Sequence, residues 1–271
     1  MGTHGEHRAT LVATVGFGLA ELRPDPARPA GWELLVGGVS QSYVDLADPT
    51  YLAFEYVRRI ASVLRSVRAP GVPIRVLHLG GGGLTLPRFV AATRPGSAQR
   101  VVERDGELLT LVSRILPPPA AVEVVVGDAR AVLDAEDPAA YDVIVADVFD
   151  GAAMPRSVAG VGFAAAAERA LRPGGLLVMN LTDLPPLAYS RIQVATLRSV
   201  FAEVCLIAGG AMLRGRRAGN IVLVAGRSPG EMSVDRLAAA AARDAEPGRV
   251  LSGGMLDDFV AGAKPRLETP R

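Results

Sequence analysis

Carboxylates and glycines stand at four places where an apolar run of the chain ends. Residues 74–79 run into Gly80, Gly81, Gly82 and Gly83, and residues 100–103 close on Glu103. Residues 122–126 lead into Gly127-Asp128-Ala129, and 141–146 into Asp147-Val148-Phe149-Asp150. Glycines let the backbone turn with positive φ and let a ligand approach the main chain, while the N–H groups opening the next helix point at that ligand. Glu103 falls about 20 residues beyond the glycines, where an acid takes both hydroxyls of a ribose. Asp128 can accept from an adenine amino group. Helix capping explains any one of these acids but explains the set poorly. The set fits a nucleoside held by residues 80–83, Glu103, Asp128 and Ala129. A dinucleotide-binding dehydrogenase would carry a third glycine near Thr85 and has no need of an acid after the third run.

Such residues meet only if the runs are strands of one open parallel sheet, whose carboxyl ends form the ligand crevice. From residue 74 the pattern alternates accordingly, with strands at 74–79, 100–103, 122–126, 141–146 and 176–181. Helices are expected at 84–92, 107–115, 129–135, 162–171 and 187–201. Segments 204–208 and 220–225 are two more strands, and the link between them is too short for a crossover helix, so they pair antiparallel. A doubly wound, mostly parallel α/β sheet ending in an antiparallel hairpin is the Rossmann-like layout of class I methyltransferases. The turn Leu171-Arg172-Pro173-Gly174-Gly175 also recurs in S-adenosylmethionine enzymes. Ahead of this core, segments 11–22 and 32–36 read as a β-hairpin around a proline-rich loop, 39–50 as a polar loop, and 51–66 as a helix capped by Asp48 or Thr50. The expected division is an N-terminal module over residues 1–70, a nucleoside-binding core over 71–226, and a helical tail over 227–271 with helical pieces at 234–243 and 256–260.

A chain of 271 residues that is 49% hydrophobic can bury one large core. Its net charge of +1 offers neither a nucleic-acid footprint nor a polybasic membrane surface. The single cysteine, Cys205, sits in an apolar run, which excludes an intrachain disulfide and a thiolate metal site. His4 and His7 lie in a polar leader and His78 in the first core strand, so no metal site is expected. Without signal-peptide zones or an uninterrupted apolar run of ~20 residues, the expectation is a cytoplasmic protein. Apolar surface on the N-terminal module suits a homodimer. The run Arg214-Gly215-Arg216-Arg217 reads as an exposed turn or a binding element.

The sequence resembles the polyamine aminopropyltransferases, the spermidine synthase family, over about residues 32–226, and in particular its shorter, divergent members. The resemblance rests on Gly38-Val39-Ser40-Gln41-Ser42, Leu79-Gly80-Gly81-Gly82, Val102-Glu103, Gly127-Asp128-Ala129 and the run from Tyr141 to Asp150. It implies that Gln41 touches the sulfur side of the nucleoside, Glu103 the ribose and Asp128 the adenine. It also implies that Asp147 is the proton acceptor and Asp150 the second acid beside an amine, and it accounts for the N-terminal hairpin, which plain methyltransferases usually lack. The chemistry agrees: aminopropyl transfer needs one carboxylate to take a proton from the attacking amine and another to anchor the far ammonium of a polyamine.

Two departures matter. Where the family has an aspartate directly after its glycines, gripping the ammonium of decarboxylated S-adenosylmethionine, this chain has Gly83. The family's Tyr-His-Glu-like segment is replaced by Tyr51-Leu52-Ala53-Phe54-Glu55. Loss of that acid removes repulsion toward a carboxylate and so makes S-adenosylmethionine itself the better electrostatic fit. Three readings follow: aminopropyl transfer to an amine or polyamine, methyl transfer from S-adenosylmethionine, and a non-catalytic paralogue that binds nucleoside or polyamine. Tyr43, Asp45, Asp48, Glu55, Asn180 and Asp183 either line an altered acceptor pocket or belong to the solvated surface.

Overall fold

The computed structural model describes residues 8–149 and 154–267. It opens with a four-stranded antiparallel meander, β1 (Leu11–Val15), β2 (Gly18–Pro24), β3 (Gly31–Val36) and β4 (Val39–Asp45), in that spatial order. The expected hairpin is thus larger than the sequence reading allowed. Segment 11–22 is two strands, and 39–45, read as a polar loop, is a strand. In β4 the residues Ser40, Gln41 and Ser42 look into a cavity instead of an apolar core, so no apolar alternation marked the strand.

The core sheet has the spatial order β12-β10-β11-β9-β8-β5-β6-β7. Its strands are β5 (Arg75–Leu79), β6 (Ala98–Glu103), β7 (Val122–Val126), β8 (Tyr141–Ala146), β9 (Leu171–Asp183), β10 (Glu203–Gly209), β11 (Gly219–Gly226) and β12 (Gly248–Leu251). β5 to β9 pair in parallel, and β10 and β11 form the expected antiparallel hairpin, giving the class I methyltransferase layout. The tail adds β12 antiparallel to β10, a strand too short and too polar to announce itself.

Helices cover both faces because alternate residues of the central strands are apolar on both sides. They are α1 (Glu55–Ser66), α2 (Thr85–Thr93), α3 (Gly106–Ile115), α4 (Ala129–Ala135), α5 (Val161–Ala170), α6 (Ala188–Arg198), α7 (Gly210–Leu213), α8 (Val234–Ala242) and α9 (Gly253–Val260). Val76, Val143 and Val145 pack under Ile60, Leu64 and Phe89 of α1 and α2 and under Leu237 of α8. Leu77, Leu79 and Ile144 face the other way, toward Leu133, Phe163, Val194 and Leu256 of α4, α5, α6 and α9. The inner face of the meander, with Leu22, Trp32, Leu34 and Val44, buries Leu108, Leu111 and Val112 of α3. This apolar contact holds the meander over the carboxyl ends of β5 and β6. No helix among the described residues is long and apolar enough to cross a membrane.

Candidate active site

Strand β5 ends in a crossing that only glycine permits. Gly80 has φ +94°, and a Cβ there would collide with the carbonyl oxygen of Asp147 just past the end of β8. The close approach brings the glycine loop and Asp147 together. Beyond it, the amides of Gly81 and Gly82 donate to Oε2 of Glu103 at 2.9 and 3.2 Å, and the amide of Asp105 donates to Oε1 at 2.9 Å. The loop amides are therefore taken up by a protein acid, and loop and acid form one braced unit. Asp128 caps α4 by accepting from the Ala131 amide at 2.9 Å through Oδ1.

The meander meets this unit through β4. The Gly83 amide donates to Ser42 Oγ at 3.0 Å, and Thr85 Oγ1 donates to the Tyr43 carbonyl at 3.0 Å. A Cβ at Gly83 would lie 3.0 Å from Ser42 Cβ and 3.2 Å from Val44 Cγ2, so this position is packed shut against β4. Opposite Leu34 and Leu35 the ladder slips by one residue, with Ser42 paired to Leu34 and Ser40 to Leu35, and Gln41 is the extra residue of the bulge. A bulge re-aims a side chain, and Gln41 lines the cavity.

Asp147 holds the other wall. Its Oδ1 accepts from Asn180 Nδ2 of β9 at 2.8 Å, and the Tyr56 hydroxyl of α1 lies beside the same carboxylate and interacts with it electrostatically. Burial pushes the Asp147 pKa up to about 6, while Asn180 and Tyr56 pull the other way. Tyr56 is itself raised well above the ordinary phenol range by burial and by the Asp147 charge. His78 lies close behind and is held by Gln99. Gln99 gives its amide nitrogen to the Pro87 carbonyl and turns its oxygen to His78 Nε2 at 2.9 Å, and burial draws the imidazole down to about 4.

These walls enclose a cavity of ≈ 600 Å³. Gln41, Gly80, Gly81, Gly82, Glu103, Asp128, Ala129 and Asp147 all line it, as the sequence suggested. Gly83 lies outside it, and Asp150 lies outside the described residues. Of the further acceptor-side candidates only Asn180 reaches the cavity. Tyr43 donates to Asp25 and Asp45 pairs with Arg28, both within the meander, and Asp48 holds Thr50. Asp183 accepts from Ser190 at the start of α6. Glu55 turns to Arg59 and to Arg217 of the arginine run. Sequence reasoning missed Tyr56, one residue past the Glu55 it singled out; the helical phase of α1 sets which of the two looks inward.

No protein-family model matches the sequence. A curated polyamine aminopropyltransferase of Vibrio vulnificus (strain CMCP6) is 31% identical over 155 residues, 55% of this chain, and the match spans half the length of that relative. A solved structure of a probable spermidine synthase from Corynebacterium glutamicum ATCC 13032 is 32% identical, with a TM-score of 0.89 over 97% of this chain and 98% of that one. The chain belongs to the spermidine synthase family. A spermidine synthase solved in complex with the transition state analogue AdoDATO shares the fold at 15% identity, with a TM-score of 0.61 over 83% of this chain and 77% of that one. In this member of the spermidine synthase family, the position after the glycines lies tight against Ser42 and Val44 of the meander.

Proposed function

We propose that this protein transfers an aminopropyl group from decarboxylated S-adenosylmethionine to an amine, with polyamines as the acceptor class and Asp147 as the base. The observation that carries the proposal is the Asp147 carboxylate, held by Asn180 and flanked by Tyr56 on the wall of the cavity that also contains Glu103 and the glycine loop. Membership of the spermidine synthase family supports the same reaction.

In this reading Glu103, its orientation fixed by three backbone amides, accepts from the ribose through the remaining lone pair of Oε1. Asp128 uses Oδ1 to cap α4 and turns its other oxygen to the adenine amino group. Gln41, presented by its bulge, lies on the sulfur side. The amine lone pair forms the new N–C bond. The C–S bond breaks with its electrons going to sulfur, which loses its positive charge, and the proton released by nitrogen passes to Asp147. A carboxylate with a pKa of about 6 is ionised at neutral pH and ready to receive it. Asp150 keeps the role that the family resemblance implies, holding the far ammonium of a polyamine.

Methyl transfer from S-adenosylmethionine is the second reading, and one observation favours it. This chain carries no acid at position 83 to grip the donor's ammonium, and a side chain there would press on Ser42 and Val44 of β4. Calorimetric titration with decarboxylated and ordinary S-adenosylmethionine separates the two readings. Tighter binding of the decarboxylated form supports aminopropyl transfer, preference for the carboxylated form supports methyl transfer, and binding of neither removes the nucleoside assignment.

A further inference from the structure

Asn180 is almost fully buried, at 1% exposure, yet it lies on the cavity wall. Its amide is oriented by Asp147. An ionised carboxylate only accepts, so the Asn180 nitrogen must face it, as the 2.8 Å contact has it. The amide oxygen therefore points away from Asp147, and among the described residues it meets no donor. A buried acceptor without a partner is unfavourable in a closed fold. Asn180 lines the substrate cavity, and once a turn of its side chain uncovers the oxygen toward it, the natural partner is an N–H of the molecule that reacts there.

We propose that Asn180 Oδ1 binds the second N–H of the attacking nitrogen, so that the site selects primary amines. The inference rests on the aminopropyl-transfer reading. A neutral primary amine has two N–H bonds and one lone pair. When Asp147 takes one hydrogen and Asn180 the other, two of the three tetrahedral directions are fixed and the lone pair is left aimed at the sulfonium-bound carbon. As the N–C bond forms, nitrogen gains positive charge and both N–H bonds become stronger donors. The Asn180 contact thus tightens most in the transition state, where it accelerates the reaction. One proton then leaves for Asp147 and the other stays on the product nitrogen, facing Asn180. A secondary amine brings a single N–H, which Asp147 must have, and leaves Asn180 Oδ1 buried and unpaired. A site built to hydrogen-bond a substrate N–H rejects an analogue that lacks it. The rest of the acceptor has a path along the same face of the sheet, because Thr182 of β9 and its cross-strand partner Asn220 of β11 line the cavity next to Asn180.

The test compares a primary diamine with its mono-N-methyl and N,N′-dimethyl derivatives in the wild type and in Asn180→Leu and Asn180→Ala, with decarboxylated S-adenosylmethionine as donor. The readout is the ratio of kcat/KM for the diamine to that for the dimethylated compound, taken within each protein, so that a general loss of activity cancels. The wild type is expected to favour the primary amine by roughly ten- to hundredfold from the unpaired acceptor alone, and both variants should lose most of that preference. If both variants slow with the ratio unchanged, Asn180 merely holds Asp147 and the inference is overturned. A wild type that transfers nothing to any amine overturns the aminopropyl-transfer reading, and this inference with it.

Discussion

The amide nitrogen of Gly83 lies 3.0 Å from the hydroxyl oxygen of Ser42, and this hydrogen bond seats the glycine loop on β4. The contact sets the cost of placing an acid there. Gly83→Asp places a Cβ 3.0 Å from Ser42 Cβ and 3.2 Å from Val44 Cγ2, so these strand residues must shift by a few tenths of an ångström to admit it. It is expected to lower stability by about 1–3 kcal/mol, measured by urea unfolding, and to leave binding of the decarboxylated donor no tighter. Ser42→Gly in the same chain removes the nearer obstruction and should recover part of the lost stability, appearing as a coupling of about 1 kcal/mol in a double-mutant cycle.

Glu103→Gln should weaken nucleoside binding by about tenfold or more, because a hydrogen bond to a charged acceptor is lost. The amide nitrogen of glutamine must also face one of the three backbone N–H groups that the carboxylate now accepts. Titration calorimetry reads the affinity, and circular dichroism checks that the fold is retained.

Asp147→Asn removes the proposed proton acceptor, and that role requires a fall in kcat of ~10²–10⁴-fold. Stability should move the opposite way. The carboxyl pKa is raised on folding to about 6, so the folded state binds a proton more readily than the unfolded chain. This group thus lowers stability above pH 6, and the loss is relieved as pH falls through 6 toward 4. The variant should therefore be more stable at pH 7–8, by about 1–3 kcal/mol, and thermal unfolding at pH 5 and pH 8 measures the difference.

Tyr56→Phe deletes the hydroxyl beside the Asp147 carboxylate, and a hydroxyl turned to the charged form holds a pKa down. In the wild type, kcat/KM should rise with pH through a limb near 6, and in the variant that limb should lie at higher pH. A limb that stays in place would separate Tyr56 from the titration of the base.

The sheet was legible because β5, β6, β7 and β8 carry apolar runs with glycines or an acid at their carboxyl ends, and the candidate site was legible because those ends converge. Gly80, Glu103, Asp128 and Asp147 could be found for that reason. Strand β4 was hidden because Ser40, Gln41 and Ser42 face a cavity, which leaves no apolar alternation to read. The closure at Gly83 was hidden for a related reason, since it depends on how a separate sheet docks onto the loop. Tyr56 and Asn180 were missed as partners of Asp147 because the contacts join positions 91 and 33 residues apart in the chain, on a helix and on a neighbouring strand.

The most direct test of the account is product analysis by mass spectrometry after incubation with a diamine and, in separate reactions, decarboxylated and ordinary S-adenosylmethionine. An aminopropylated amine is expected from the decarboxylated donor alone, and its loss in Asp147→Asn. A methylated product from S-adenosylmethionine, or aminopropyl transfer that persists unchanged without the Asp147 carboxylate, would contradict it.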